Sequence, residues 1–158
     1  MFAPMDTSAL SADRILQTSS MFRTLDAAGR QELAARARTL HVDAGAVIFK
    51  LGDPGHSMMA VLQGSVRISI PGPAGKDIVL ADLTAGNVFG EIAVLDSGPR
   101  TATATALQKT ALLVFDRREV QAFLRKRADF CVTLLELLAT RLRRSDERIA
   151  QSASASAR

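Results

Sequence analysis

The sequence predicts a mainly β protein with flanking helices: a double-stranded β-helix (jelly-roll) barrel of about eight strands, followed by a long C-terminal helix. Two observations lead to that class. Short β-branched and apolar runs recur through the middle of the chain, separated for the most part by Gly, Pro and Asp clusters. Beyond Phe115 the apolar period changes from two to that of a helix.

Taken in order, the first predicted element is a helix. Asp26 stands before Ala27-Ala28-Gly29-Arg30-Gln31-Glu32-Leu33-Ala34-Ala35-Arg36-Ala37, an N-cap followed by strong helix formers. Residues 1–20 read as an N-terminal extension, in which Met1 to Arg14 mixes Asp, Ser and Ala with few large apolar side chains and no signal-peptide core. The predicted strands are Thr39–Val42, Val47–Lys50, Met58–Leu62, Val66–Ile70, Ile78–Leu83, Val88–Phe89, Thr101–Ala106 and Ala111–Phe115. Turn chemistry falls between most of them, at Asp43-Ala44-Gly45, Gly52-Asp53-Pro54-Gly55, Pro71-Gly72-Pro73-Ala74-Gly75 and Ser97-Gly98-Pro99. Between the sixth and seventh lies a short apolar helix, Gly90–Leu95, which a plain barrel does not need.

After the strands, Arg117 to Leu124 reads as a short helix and Asp129 begins a longer one, ending near residue 150. Cys131, Leu135, Leu138, Leu142, Ser145 and Ile149 recur at alternating spacings of four and three. That is an a/d seam, the pattern of a helix that pairs with a copy of itself, so a homodimer is expected. Leu134 and Leu137 are left to dock on the barrel. The run 151–158, alternating Ser and Ala, is low in complexity and expected to be a disordered tail.

Composition narrows the function classes. With 47% hydrophobic and 23% charged residues, the 158-residue chain has the balance of one globular domain, spanning 21–150. No apolar run approaches the ~18 residues of a membrane helix. The lone Cys131 excludes an intrachain disulfide and fits a reducing cytoplasm. The net charge is +4, but residues 117–158 hold 10 basic and 5 acidic side chains. That excess reads as a solvated helix face. No aromatic interleaving or helix-turn-helix pattern accompanies it, so no DNA-binding domain is expected in this chain. The only histidines, His41 and His56, lack ligand-spaced partners, which rejects a metal-dependent jelly-roll enzyme. No Ser-His-Asp or paired-carboxylate arrangement can be built either, so neither catalytic nor metal residues are assigned.

The chemistry gathers instead in Phe89-Gly90-Glu91-Ile92-Ala93-Val94-Leu95 and Pro99-Arg100-Thr101-Ala102-Thr103. A helix N-terminus offers free N–H groups and a positive dipole end to an anion. Arg100 adds a planar fork that grips phosphate oxygens with two hydrogen bonds. Glu91 repels phosphate but accepts well from a sugar hydroxyl beside it. Together these groups suit a ligand carrying both.

These two stretches resemble the phosphate-binding cassette of cyclic nucleotide-binding domains. Gly52-Asp53-Pro54-Gly55 and Met58-Met59-Ala60-Val61-Leu62-Gln63-Gly64-Ser65-Val66 are similar to the same family's strand signature. Within that family the pattern resembles the sensor half of bacterial cAMP receptor protein and fumarate-nitrate regulators. Met59 replaces an aromatic residue found in many members, a gap that methionine can fill. The resemblance implies that the Gly90–Leu95 helix is the phosphate-cassette helix and that Arg100 pairs with the cyclic phosphate. It further implies that Glu91 accepts from the ribose 2′-hydroxyl, and that backbone N–H groups of Gly90, Ile92 and Ala93 complete the cradle. The Thr101 hydroxyl would reach phosphate or base. A threonine in an alternating strand needs no ligand to explain it, however. By the same resemblance Ser145 and Asp146 would contact the base, often across a dimer.

The function these readings give is a cytoplasmic cyclic nucleotide sensor in transcriptional or signalling regulation, transmitting binding through its C-terminal helix. The ligand would be cAMP, with cGMP second, and no cofactor is implied. The alternative is a jelly-roll interaction module that binds no nucleotide, against which the retention of Glu91 and Arg100 argues. A stand-alone sensor and the sensor part of a longer regulator fit the sequence equally.

Overall fold

The computed structural model describes residues 7–156, with side chains from residue 12 onward; residues 1–6 of the predicted extension and 157–158 of the predicted tail lie outside the described residues. The elements are α1 (Thr7–Thr18), α2 (Ala27–Ala34), β1 (Arg38–Val42), β2 (Val47–Phe49), β3 (Ser57–Gln63), β4 (Ser65–Pro71), β5 (Asp77–Thr84), β6 (Val88–Phe89), α3 (Ile92–Asp96), β7 (Thr103–Ala106), β8 (Thr110–Asp116), α4 (Arg117–Arg125) and α5 (Ala128–Ser156). The chain divides into two compact units, one running through Phe123 and the other beginning at Leu124.

The first unit holds two four-stranded antiparallel sheets, ordered β1-β8-β3-β6 and β2-β7-β4-β5, as the predicted jelly roll requires. Apart from the β4–β5 hairpin, consecutive strands alternate between the sheets, and the core forms where the two inner faces meet. Met59 and Val61 of β3, Leu112 and Val114 of β8 and Phe89 of β6 meet Val66 of β4 and Ala104 of β7. The alternate positions Met58, Ala60, Leu113 and Phe115 are also buried. That is why these strands read as continuous apolar runs rather than alternating ones. Asp26 caps α2, its Oδ1 accepting from the Gly29 N–H at 2.7 Å.

Most strand ends shift by a residue, and the short helix predicted over Gly90–Leu95 runs from Ile92 to Asp96, because Gly90 has a positive φ that no helix allows. Four larger differences from the sequence reading each have a local reason. The predicted extension holds a helix: α1 packs against α2, with Ala12, Ile15 and Leu16 buried. Small alanines and polar neighbours make that stripe faint in composition. α2 stops at Ala34, and Arg36 and Ala37 close tighter i→i+3 bonds to Leu33 and Ala34. β7 starts at Thr103, not Thr101, because Arg100 is drawn out of the ladder by pairing described below. The predicted disordered tail is corrected as well, since helix continues through 151–156. Alanine is the strongest helix former and serine only mildly unfavourable, so an alternating Ser-Ala run prolongs an existing helix.

The second unit is dominated by α5. Phe130 and Leu134 are buried, whereas Leu135, Leu142 and Ile149 are 65%, 65% and 66% exposed. The Cys131 thiol donates to the Leu124 carbonyl at 3.2 Å, the bond of a packed helix residue. Among the described residues no helix is long and apolar enough to cross a membrane.

Candidate functional site

The two motifs singled out in the sequence meet through their backbones. The Arg100 N–H donates to the Asp53 carbonyl at 2.7 Å, and the Gly52 N–H donates to the Arg100 carbonyl at 2.8 Å. Pro54 and Pro99 form an isolated antiparallel bridge beside them. Two glycines permit the close fit. A Cβ on Gly55 would lie 2.5 Å from Ala93 Cβ, so the Gly52–Gly55 turn can seat against α3 only without a side chain. Gly90 has φ of +73°, and a Cβ there would approach Arg100 Nη1 to 2.6 Å.

Arg100 is therefore fixed at both ends. Its side chain is 7% exposed and lies over the Phe49 ring, with Cζ 4.1 Å from the ring centroid. Nη1 donates to the Ser57 carbonyl at 2.7 Å and, more distantly, to the Gly90 carbonyl at 3.4 Å. Nη2 donates to Ser57 Oγ at 3.0 Å. Nε is buried and has no hydrogen-bond partner among the described residues. Burial pushes the guanidinium pKa below its ordinary value, and the Asp53 carboxylate partly opposes that shift. A buried cation with an unmatched donor and no contacting carboxylate among the described residues is an environment that an anion would relieve.

Around this group lies a cavity of about 210 Å³ lined by Gly90, Glu91, Ile92, Ala93, Arg100 and Thr101, with Phe49, Ile68, Val88, Phe89, Pro99 and Ala102 completing the wall. The arrangement can hold an anion beside a hydroxyl-bearing group against an apolar floor. Glu91 occupies the N-cap position of α3, and its side chain makes no capping hydrogen bond and lines the cavity. Thr101 is exposed and precedes β7. The strand explanation for that threonine therefore lapses. Two bonds from α4 brace the far end of α3. Arg117 Nη2 donates to Ser97 Oγ, and Gln121 Nε2 donates to the Val94 carbonyl at 3.3 Å.

Six of the eight sequence-predicted site residues thus line one cavity. The other two, Ser145 and Asp146, are exposed on α5 in the second unit. Sequence reasoning missed Phe49 and Ser57. The only signal for Ser57 was a hydroxyl at the head of an apolar run that buries it, and a buried hydroxyl needs a partner. The partner lies 43 residues away, beyond any local pattern.

Comparison with known proteins gives a consistent result. The profile of the cyclic nucleotide-binding domain matches residues 39–127. The chain is 28% identical over 138 residues to a CRP-like cAMP-activated global transcriptional regulator of Mycobacterium tuberculosis, covering 87% of this chain and 62% of that protein. It is 38% identical over 102 residues to the cyclic AMP receptor protein of Thermus thermophilus, covering 65% of this chain and 47% of that protein. It thus spans roughly half to three-fifths of these relatives. Its structure is similar to the N-terminal domain of a transcriptional regulator from Streptomyces coelicolor A3(2), with a TM-score of 0.77 and 32% identity over 85% of this chain and 94% of that one.

Proposed function

The chain belongs to the cyclic nucleotide-binding domain family, and from that premise we propose that it is a sensor for a 3′,5′-cyclic nucleotide, cAMP in preference to cGMP. The observation that carries this reading is Arg100: a buried guanidinium with an unmatched Nε–H, facing a cavity that Glu91 also lines. In the proposed complex Arg100 pairs with the cyclic phosphate, and the N–H groups of Gly90, Ile92 and Ala93 add donors. Glu91 accepts from the ribose 2′-hydroxyl. The cavity of about 210 Å³ falls below the roughly 300–1,000 Å³ usual for ligand pockets, which suits a phosphate and sugar and leaves the base to other groups. Thr101, Ser145 and Asp146 are the candidates for those contacts.

Binding would be read out through α5. Its exposed Leu135, Leu142 and Ile149 support pairing of two copies along the seam, and a ligand that favours one arrangement of that pair would shift its population. Relatives named as cAMP-activated or cAMP-receptor regulators support a role in transcriptional or signalling control in the cytoplasm, with this chain's part being binding rather than catalysis.

Replacing Arg100 with alanine tests the reading. Truncating one member of a buried charge pair costs about 2–5 kcal/mol, so calorimetric titration should show affinity for cAMP falling by about thirtyfold or more. Unchanged affinity in a folded Arg100→Ala protein would remove Arg100 from the site.

A further inference from the structure

We propose that Ser57 is a positioning residue of the anion site, fixing which edge of the Arg100 guanidinium meets the ligand's phosphodiester. The inference rests on the cyclic nucleotide reading above and adds to it a residue outside both cassette stretches. A guanidinium has five N–H donors in one plane. At its far end, Nη1 bonds the Ser57 carbonyl at 2.7 Å while Nη2 bonds Ser57 Oγ at 3.0 Å. A single residue of β3 therefore clamps the Nη1–Nη2 edge. The remaining Nη1 donor direction is met by the Gly90 carbonyl at 3.4 Å.

What is left is one edge. Nε–H lies on the same side of the planar group as Nη2, and Nε is buried without a hydrogen-bond partner among the described residues. The Nε–H and the second Nη2–H form a parallel pair, the geometry that takes two oxygens of one phosphate. Phe49 closes a face of the plane at 4.1 Å, which restrains the group from turning about its own stem. Ser57 is itself buried at 6% exposure and starts a strand paired to β8, so its hydroxyl is carried on a rigid element. The Ser57 hydroxyl touches the arginine and acts on the ligand through it.

The experiment is titration of wild type, Ser57→Ala and Ser57→Thr with cAMP and with its two diastereomeric phosphorothioates, which place sulfur on one or the other exocyclic phosphate position. A fixed arginine edge should discriminate between the diastereomers. The expected result is that Ser57→Ala loses about tenfold in cAMP affinity, the scale of one hydrogen bond to a charged group, and that its diastereomer preference narrows. Ser57→Thr, which keeps the hydroxyl, should restore both, and would carry the test were the alanine variant not to fold. Unchanged affinity and preference in Ser57→Ala, or a uniform loss with the preference intact, would overturn the positioning role alone. Absence of wild-type binding to any of the three would overturn the cyclic nucleotide reading and this proposal with it.

Discussion

Arg100 is held by geometry that depends on its neighbours having no side chain or the right one. Gly90 is the clearest case, because it combines a positive φ with a contact that no Cβ can share. Forcing an L-residue into that conformation costs about 1–2 kcal/mol, and the added methyl would also push Arg100 Nη1 from its place. Gly90→Ala should therefore lower the thermal midpoint by several degrees and weaken cAMP binding by more than its loss of stability accounts for. Calorimetry and titration on the same sample check both, and a variant that is destabilised yet binds normally would contradict the account. At this scale the sequence was legible where residues sit close along the chain: Gly90, Glu91, Arg100 and Thr101 all came from one stretch. Phe49 and Ser57 were not, because their roles come from stacking and hydrogen bonding to Arg100 across 51 and 43 residues.

At the level of elements, the strands were the most legible part, since turn residues bound them and both β3 and β8 are buried on two faces. α1 escaped notice because Ala12 carries one third of its buried stripe, and alanine signals little by itself. The start of β7 was misplaced because Thr101 and Ala102 continue an alternating pattern that the Arg100–Asp53 pairing interrupts. α5 was legible as a helix, and Leu135, Leu142 and Ile149 of the proposed seam lie exposed on it. Three large apolar side chains about two-thirds exposed on one stripe are a poor solution for an isolated helix, and pairing along an a/d pattern would cover them. Sedimentation equilibrium should thus find a dimer for the wild type. Replacing Leu135 and Leu142 together with lysine should yield a monomer, since each charge would enter an apolar seam. A wild-type monomer at all accessible concentrations would contradict the seam.

The chain joins a β unit that carries the candidate cavity to a long helix, with α4 following β8 and bracing α3 through Arg117 and Gln121. Those bonds fall on Ser97 and on the Val94 carbonyl, so movement of α3 on binding would be felt at the base of α4. The sequence announced this architecture because its two motifs, 36 residues apart at Gly55 and Glu91, are each specific and occur in the required order. It said less about the ligand's base, since the proposed base contacts would draw on α5 and on Thr101, whose neighbours in a dimer would be set by assembly rather than by local pattern. The most direct measurement is calorimetric titration of nucleotide-free protein with cAMP and, separately, with cGMP. The account predicts saturable binding of about one ligand per chain, tighter for cAMP. No heat with either nucleotide, in protein shown by circular dichroism to be folded, would contradict it and leave the interaction module as the reading.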